Sequence, residues 1–271
     1  MSTASPTLNV MIKAVRRAAR GLVRDFGEVE NLQVSTKSAG DFVSRADTRA
    51  EQVLRSELME ARPNYGWLGE EGGGAAGKDP TRRWIVDPLD GTTNFLHGQP
   101  QWSISVALEH KGRIEAGVIY DPVKDEMFTA EKGQGAWLND RRLRVSARRD
   151  MLTCVFATGL PFAGKGGLPT ALAELARVAP HCAGIRRYGS AALDLAWVAA
   201  GRFDGFWERD LHAWDIAAGL LLVQEAGGLS CSLVPGEVME TGSVLAANAE
   251  VFDRLKAMLI PEQVATGNRV G

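Results

Sequence analysis

Trp84-Ile85-Val86-Asp87-Pro88-Leu89-Asp90-Gly91-Thr92-Thr93-Asn94-Phe95 decides how the rest of the chain is read. Its first three residues are apolar and read as a short buried strand. Proline has no N–H to give a sheet ladder, so the strand is expected to stop at Asp87. Asp87 and Asp90 stand three residues apart, and carboxylates that close repel unless a cation neutralises them. Gly91 lets backbone N–H groups approach a ligand, and Thr92, Thr93 and Asn94 are helix-start residues. A helix N-terminus beside paired acids suits a cation between the acids and a phosphate over the amides. Asp before Pro and Asp-Gly are also ordinary turn chemistry, so this stretch alone leaves a plain capped turn open.

Upstream, Tyr65-Gly66-Trp67-Leu68 reads as a strand running into Gly69-Glu70-Glu71. Those glutamates, followed by Gly72-Gly73-Gly74, fit either a solvated turn or a metal ligand at a strand end. Leu8, Met11, Ile12, Val15, Ala18, Ala19, Leu22 and Phe26 share one face of a first helix, with Ser5-Pro6 as its cap and first turn. Lys37 to Asp47 is polar and is expected to be a loop. Asp47 then precedes a second helical pattern, with Ala50, Val53, Leu54, Leu58 and Ala61, and on its own reads as an N-cap.

Downstream, Trp102 to His110, Arg113 to Tyr120 and Glu126 to Glu131 read as consecutive strands with short turns, hence an antiparallel sheet. Ala136-Trp137-Leu138 and Leu143-Arg144-Val145 flank a further turn. The second half alternates. Strands are expected at 152–158, 184–188 and 203–207, and helices at 169–178, 191–200, 215–226 and 251–259. That alternation argues layered α/β. The expectation is α+β for residues 1–150 and α/β for 151–271, packed as one compact unit with the site between them. Asp215 sits where an almost wholly apolar helix begins. Alone it reads as an N-cap, with Glu208, Asp210 and His212 close before it.

Composition excludes several classes. The chain has 271 residues, 45% of them hydrophobic, and a net charge of −2, enough for a large core. Its basic residues are dispersed, which speaks against nucleic acid or a membrane surface as the main partner. Cys154, Cys182 and Cys231 have neither metal-ligand nor disulfide spacing, as expected in a reducing cytoplasm. Met1 to Asn9 lacks a signal-peptide apolar region, and no apolar run approaches the ~20 residues of a membrane span.

Four stretches together resemble the inositol monophosphatase family, within the lithium-sensitive, magnesium-dependent sugar phosphatases. These are Trp84 to Phe95, Trp214 to Gly228, Gly69-Glu70-Glu71, and Lys37 to Asp47. Their order makes the match specific where any one would be weak. Thr158 to Phe162 and Arg187 to Ala192 look like the bacterial branch. The resemblance implies a layered αβαβα sandwich and Mg²⁺, two or three ions per site. It assigns Glu70, Asp87, Asp90 and Asp215, with the Leu89 carbonyl, to the metals. Thr92 and Asp47, beside Glu70, are assigned to activating water. The Gly91 and Thr92 amides take the phosphate, while Gly189, Ser190, Ala191 and Glu208 take the substrate's hydroxyl-bearing part. Lys37 is placed on a mobile loop near a third ion. A cytoplasmic homodimer is also implied.

The expected reaction is hydrolysis of an inositol monophosphate by metal-activated water, with no phosphoenzyme. The same chemistry on fructose 1,6-bisphosphate, histidinol phosphate or a 3′-phosphoadenosine nucleotide is the neighbouring reading. The Glu208 region and residues 164–167 would separate these substrates. A non-catalytic relative that binds protein or RNA is the reading from another class.

Overall fold

The computed structural model describes residues 5–32, 36–161 and 166–260, with side chains omitted at 30–32 and 36–44. Two long helices, α1 (Pro6–Leu32) and α2 (Thr36–Ala61), come first. Ser5 caps α1, its hydroxyl accepting from Leu8 N–H at 3.2 Å. An eight-stranded sheet follows, built from β1 (Gly66–Gly69), β2 (Gly73–Ala75), β3 (Arg82–Asp90), β4 (Ser103–His110), β5 (Arg113–Asp121), β6 (Glu126–Glu131), β7 (Gly135–Leu138) and β8 (Arg141–Arg142). The short helix α3 (Thr92–Leu96) lies between β3 and β4. Strand order is β2-β1-β3-β4-β5-β6-β7-β8, antiparallel throughout except for β1 against β3.

The second sheet is mixed. It comprises β9 (Val155–Thr158), β10 (Gly184–Arg186), β11 (Gly205–Glu208), β12 (Leu229–Ser232) and β13 (Val244–Ala247), in the order β10-β9-β11-β13-β12. Its helices are α4 (Leu168–Val178), α5 (Ala191–Ala199), α6 (Ala213–Glu225), α7 (Val238–Thr241) and α8 (Phe252–Leu259).

Residue alternation along the strands sorts the layers, because successive side chains point to opposite faces. On β3 and β4, Trp84, Val86, Ile104 and Val106 pack under α1 and α2, whereas Ile85 and Ala107 face the α5–α6 layer. α5 and α6 lie between the sheets, and α4 and α8 cover the outer face of the second sheet. This is the expected αβαβα sandwich. Ile216 to Val223 of α6 are all buried, as an all-round apolar helix must be. Its contacts are close. A Cβ on Gly117 of β5 would lie 3.0 Å from Ala218 Cα, and one on Gly219 would lie 2.6 Å from Leu195 Cβ. No helix among the described residues is long and apolar enough to cross a membrane.

Several expectations need correction. Lys37 to Asp47 is not a loop but the opening of α2, so Asp47 is an interior helical residue rather than an N-cap. Polar residues and Gly40 hid the helix, which packs against α1. β3 does not stop at Asp87. It continues to Asp90 through an irregularity in which Asp87 pairs with Ser105 and Asp90 with Ser103. Proline sits at that break, where no ladder N–H is required. α6 starts at Ala213, placing Asp215 in its first turn rather than at its cap. Residues 143–145 form no strand, and 151–153 form a 3₁₀ turn ahead of β9. β12 and β13 were not anticipated.

Candidate active site

The site forms where β3 breaks. Leu89 N–H donates to Asp87 Oδ1 at 2.9 Å, turning the chain so that Asp87 and Asp90 come to one region. Gly91 follows with φ 94°, and a Cβ there would lie 2.9 Å from the Gln101 carbonyl. Only glycine suits that conformation and that space. α3 is anchored by fully buried Phe95, whose ring lies 5.3 Å from Phe26 and 5.1 Å from Trp102. Thr92 Oγ1 donates to the Leu89 carbonyl at 3.1 Å, so its hydroxyl direction is fixed.

Acids arrive from four elements. Oxygens of Asp87, Asp90 and Asp215 lie within 4.8 Å of one another, and a second such group joins Asp47, Glu70 and Glu71. Glu70 N–H donates to Val86 O at 3.2 Å, which ties the end of β1 to the strand carrying Asp87. Asp215 Oδ2 accepts from His212 N–H at 2.7 Å, and Ser105 Oγ donates to the Trp214 carbonyl at 3.3 Å. The start of α6 is thereby joined to the residue opposite Asp87 in the sheet.

Electrostatics make the cluster unfavourable alone. Burial, then the charges of Glu70, Glu71 and Glu51, raise the Asp47 carboxyl to about 8. Burial and Asp215 raise Glu70 to about 7 despite a hydrogen bond with Asp87. Asp90 is raised to about 7 by burial and Asp215, partly offset by Ser190 and Ala192. Burial, with Glu70 next, pushes Asp87 far above the ordinary carboxylate range. Asp47 Oδ1 is buried with no hydrogen-bond partner. Among the described residues no lysine or arginine forms an ion pair with Asp47, Glu70, Asp87 or Asp90. Crowded carboxylates with an orphaned oxygen fit hard divalent cations. The all-oxygen donor set suits Mg²⁺ better than a thiolate- or imidazole-seeking metal.

The second half supplies the other wall. Ser190, the N-cap of α5, donates to Asp90 Oδ2 at 2.5 Å, and Ala192 N–H donates to the same oxygen at 2.9 Å. Ser190 therefore meets the acid cluster itself and is 1% exposed. Gly189 and Ala191 flank it. Asn94 Nδ2 donates to Gln101 O and to Tyr188 O, both at 2.7 Å, bridging α3 to the turn before α5. Glu208 ends β11, and its carboxylate fills the space a side chain on Gly159 would take. Lys37 lies on the α2 backbone with its side chain outside the described residues, as do residues 164 and 165 of the expected discriminating loop.

Three residues here were missed in the sequence. Glu51 contacts the Glu70–Glu71 turn. It stands four after Asp47, a helical spacing that places both on one face. Buried Asp194 feels the charges of Glu208 and Asp90, and burial pushes it well above the usual range. Gly159 makes room for Glu208. Neither of the last two carries a local signal, because their partners lie far away in sequence.

A family model described as the inositol monophosphatase family matches residues 3–266. The inositol-1-monophosphatase of Rhizobium meliloti (strain 1021) is 57% identical over 256 residues, covering 94% of this chain and 96% of that protein. The native crystal structure of extragenic suppressor protein suhB from Bartonella henselae is 52% identical with a TM-score of 0.88, covering 95% of this chain and 100% of that one. An inositol monophosphatase structure from Anabaena (Nostoc) sp. PCC 7120 is 34% identical with a TM-score of 0.81, covering 94% and 95%.

Proposed function

The chain belongs to the inositol monophosphatase family and is a phosphatase, and on that premise we propose that it hydrolyses inositol monophosphates to inositol and phosphate with Mg²⁺. The observation that supports the metal requirement is the convergence of carboxylates from α2, the turn after β1, β3 and α6, with Asp47 and Asp87 buried and no lysine or arginine ion pair to Asp47, Glu70, Asp87 or Asp90 among the described residues.

Glu70, Asp87, Asp90 and Asp215, with the Leu89 carbonyl, would hold two or three ions. When bound, Mg²⁺ supplies charge neutralisation at the phosphoryl oxygens and an acidified water. Thr92 and Asp47 would orient the attacking water, and Asp47 would take its proton. The fixed donation of Thr92 Oγ1 to Leu89 O leaves its lone pairs to accept from water. The Gly91 and Thr92 amides hold the phosphate. Water attacks phosphorus directly and the P–O ester bond breaks. The departing alcohol oxygen takes up a proton in place of the one removed from water, so protons balance, and no side chain is phosphorylated. Glu208 accepts hydrogen bonds from ring hydroxyls beside Gly189 and Ala191.

The test is phosphate release with and without Mg²⁺ on four esters side by side: inositol 1-phosphate, fructose 1,6-bisphosphate, histidinol phosphate and 3′-phosphoadenosine 5′-phosphate. The expected result is Mg²⁺-dependent release with kcat/KM highest on the inositol ester. A higher value on another ester would move the substrate assignment while leaving the metal ligands in place.

A further inference from the structure

Glu51 takes no part in the chemistry above, yet it is 4% exposed and lies against the site. We propose that Glu51 is a positioning residue for the ion-binding acids: its carboxylate fixes the backbone on which Glu70 and Glu71 stand. The inference rests on the reading of Glu70 as a metal ligand.

Glu51 Oε2 accepts from Glu71 N–H at 2.8 Å, and Oε1 accepts from Gly72 N–H at 2.8 Å. Both oxygens of one carboxylate thus hold two consecutive amides. The preceding amide, that of Glu70, is held from the opposite side by Val86 O at 3.2 Å. Three successive peptide groups are therefore tied, one to β3 and two to α2. Charge-assisted bonds of this kind are the stronger class. What stays adjustable around Glu70 is its side chain.

The glycines around the two glutamates have the same explanation. Gly69 and Gly72 do not have positive φ, so backbone conformation does not demand glycine at either. A Cβ on Gly69 would lie 2.5 Å from Trp67 Nε1 and 2.7 Å from Glu51 Oε2, and one on Gly72 would overlap Glu51 Oε1. Gly72 is small because Glu51 occupies the space, and Gly69 because Glu51 and the Trp67 indole share it. Glu51 belongs to neither group of converging ligand atoms. It shares a face of α2 with Asp47, one turn away, so one helix presents a candidate catalytic acid and orients the turn carrying two others.

Supports of this kind usually contribute ten- to a hundred-fold in metal affinity. The test is Mn²⁺ titration without substrate, read by electron paramagnetic resonance of the free ion. Glu51→Gln points an amide N–H₂ at a backbone donor, so one of the two bonds is lost. It is expected to weaken Mn²⁺ binding about ten-fold, and Gly72→Ala is expected to do the same. In a Glu51→Ala background the methyl at position 72 has room, so Gly72→Ala is expected to add no further loss. Unchanged Mn²⁺ affinity in Glu51→Gln and Gly72→Ala, with only a lower melting temperature, would overturn the inference. Glu70→Gln is the control. If it weakens binding while Glu51→Gln does not, the positioning role alone fails. If neither weakens it, the assignment of Glu70 fails as well. Should Glu51→Ala not fold, the other two variants still decide.

Discussion

Ser190 Oγ donates a 2.5 Å hydrogen bond to Asp90 Oδ2, joining the start of α5 to the end of β3 across 100 residues of sequence. The same hydroxyl does two things. It caps a core helix by accepting from Leu193 N–H at 3.4 Å, and its donation to Asp90 lowers the pKa of a candidate metal ligand.

Ser190→Ala should therefore act on both. Loss of the cap is expected to cost about 1 kcal/mol of stability. Loss of the donor leaves Asp90 more easily protonated, so the Mg²⁺ concentration for half activation should rise, most at low pH. Mg²⁺ activation curves at several pH values test this. Identical curves for the variant and the wild type would separate Ser190 from the metal site.

Stability of the metal-free protein should fall as pH rises. Asp47, Glu70 and Asp90 have folded-state pKa values near 8, 7 and 7, against about 4 in an unfolded chain. The folded state then holds more protons than the unfolded one between those limits. The contribution is fully present below about pH 4 and is lost as pH passes through 7 to 8. Melting of the chelated protein should drop between about pH 6 and 9, and Mg²⁺ should remove most of that drop. A chelated protein that melts higher at alkaline pH would contradict the raised values.

The same protons must leave when an ion binds. Calorimetry at pH 7 in buffers of different ionisation enthalpy should show proton release with each Mg²⁺. Saturation at 100 times Kd should stabilise the fold by about 2.7 kcal/mol. Buffer-independent heats would mean that the acids are already ionised.

Gly159→Ala puts a methyl where the Glu208 carboxylate lies. Displacing Glu208 should raise KM for inositol 1-phosphate about ten-fold, the worth of one hydrogen bond to a charged group. Turnover of p-nitrophenyl phosphate, which has no ring hydroxyls, should change little. Equal losses on both substrates would place the defect in the metal site instead.

Gly219→Ala should destabilise by about 1–3 kcal/mol, because its methyl enters space held by Leu195. Denaturant unfolding gives the value directly. A neutral result would mean that α5 and α6 can separate without cost.

Much of this was legible in the sequence because the acids of β3 and the Glu70 pair sit in short motifs bounded by Gly and Pro. Strand periodicity likewise located β4 to β6. Three kinds of feature were not legible. Lys37 to Asp47 has too few large apolar residues to show a helical stripe, so the periodicity begins only after Asp47 and makes that residue look like a cap. Pro88 looked like a strand end because a break in pairing that admits proline is set by the partner strand, here at Ser103 and Ser105. Contacts such as Asp90 with Ser190, or Glu208 with Gly159, depend on how the two sheets stack, and no local pattern encodes that.

α6 has a wider consequence. Its residues from Ile216 to Val223 leave no face turned to solvent, and its first turn carries Asp215. In a saturation library this helix should form an unbroken band of intolerance, where most protein helices show stripes. Variants there are expected to lose phosphatase activity before they lose the fold, since a small displacement of the helix moves the candidate metal ligand Asp215 first. If Glu208 takes the substrate as proposed, improvement of this enzyme by mutation is best sought at the rim around Gly159 and Glu208.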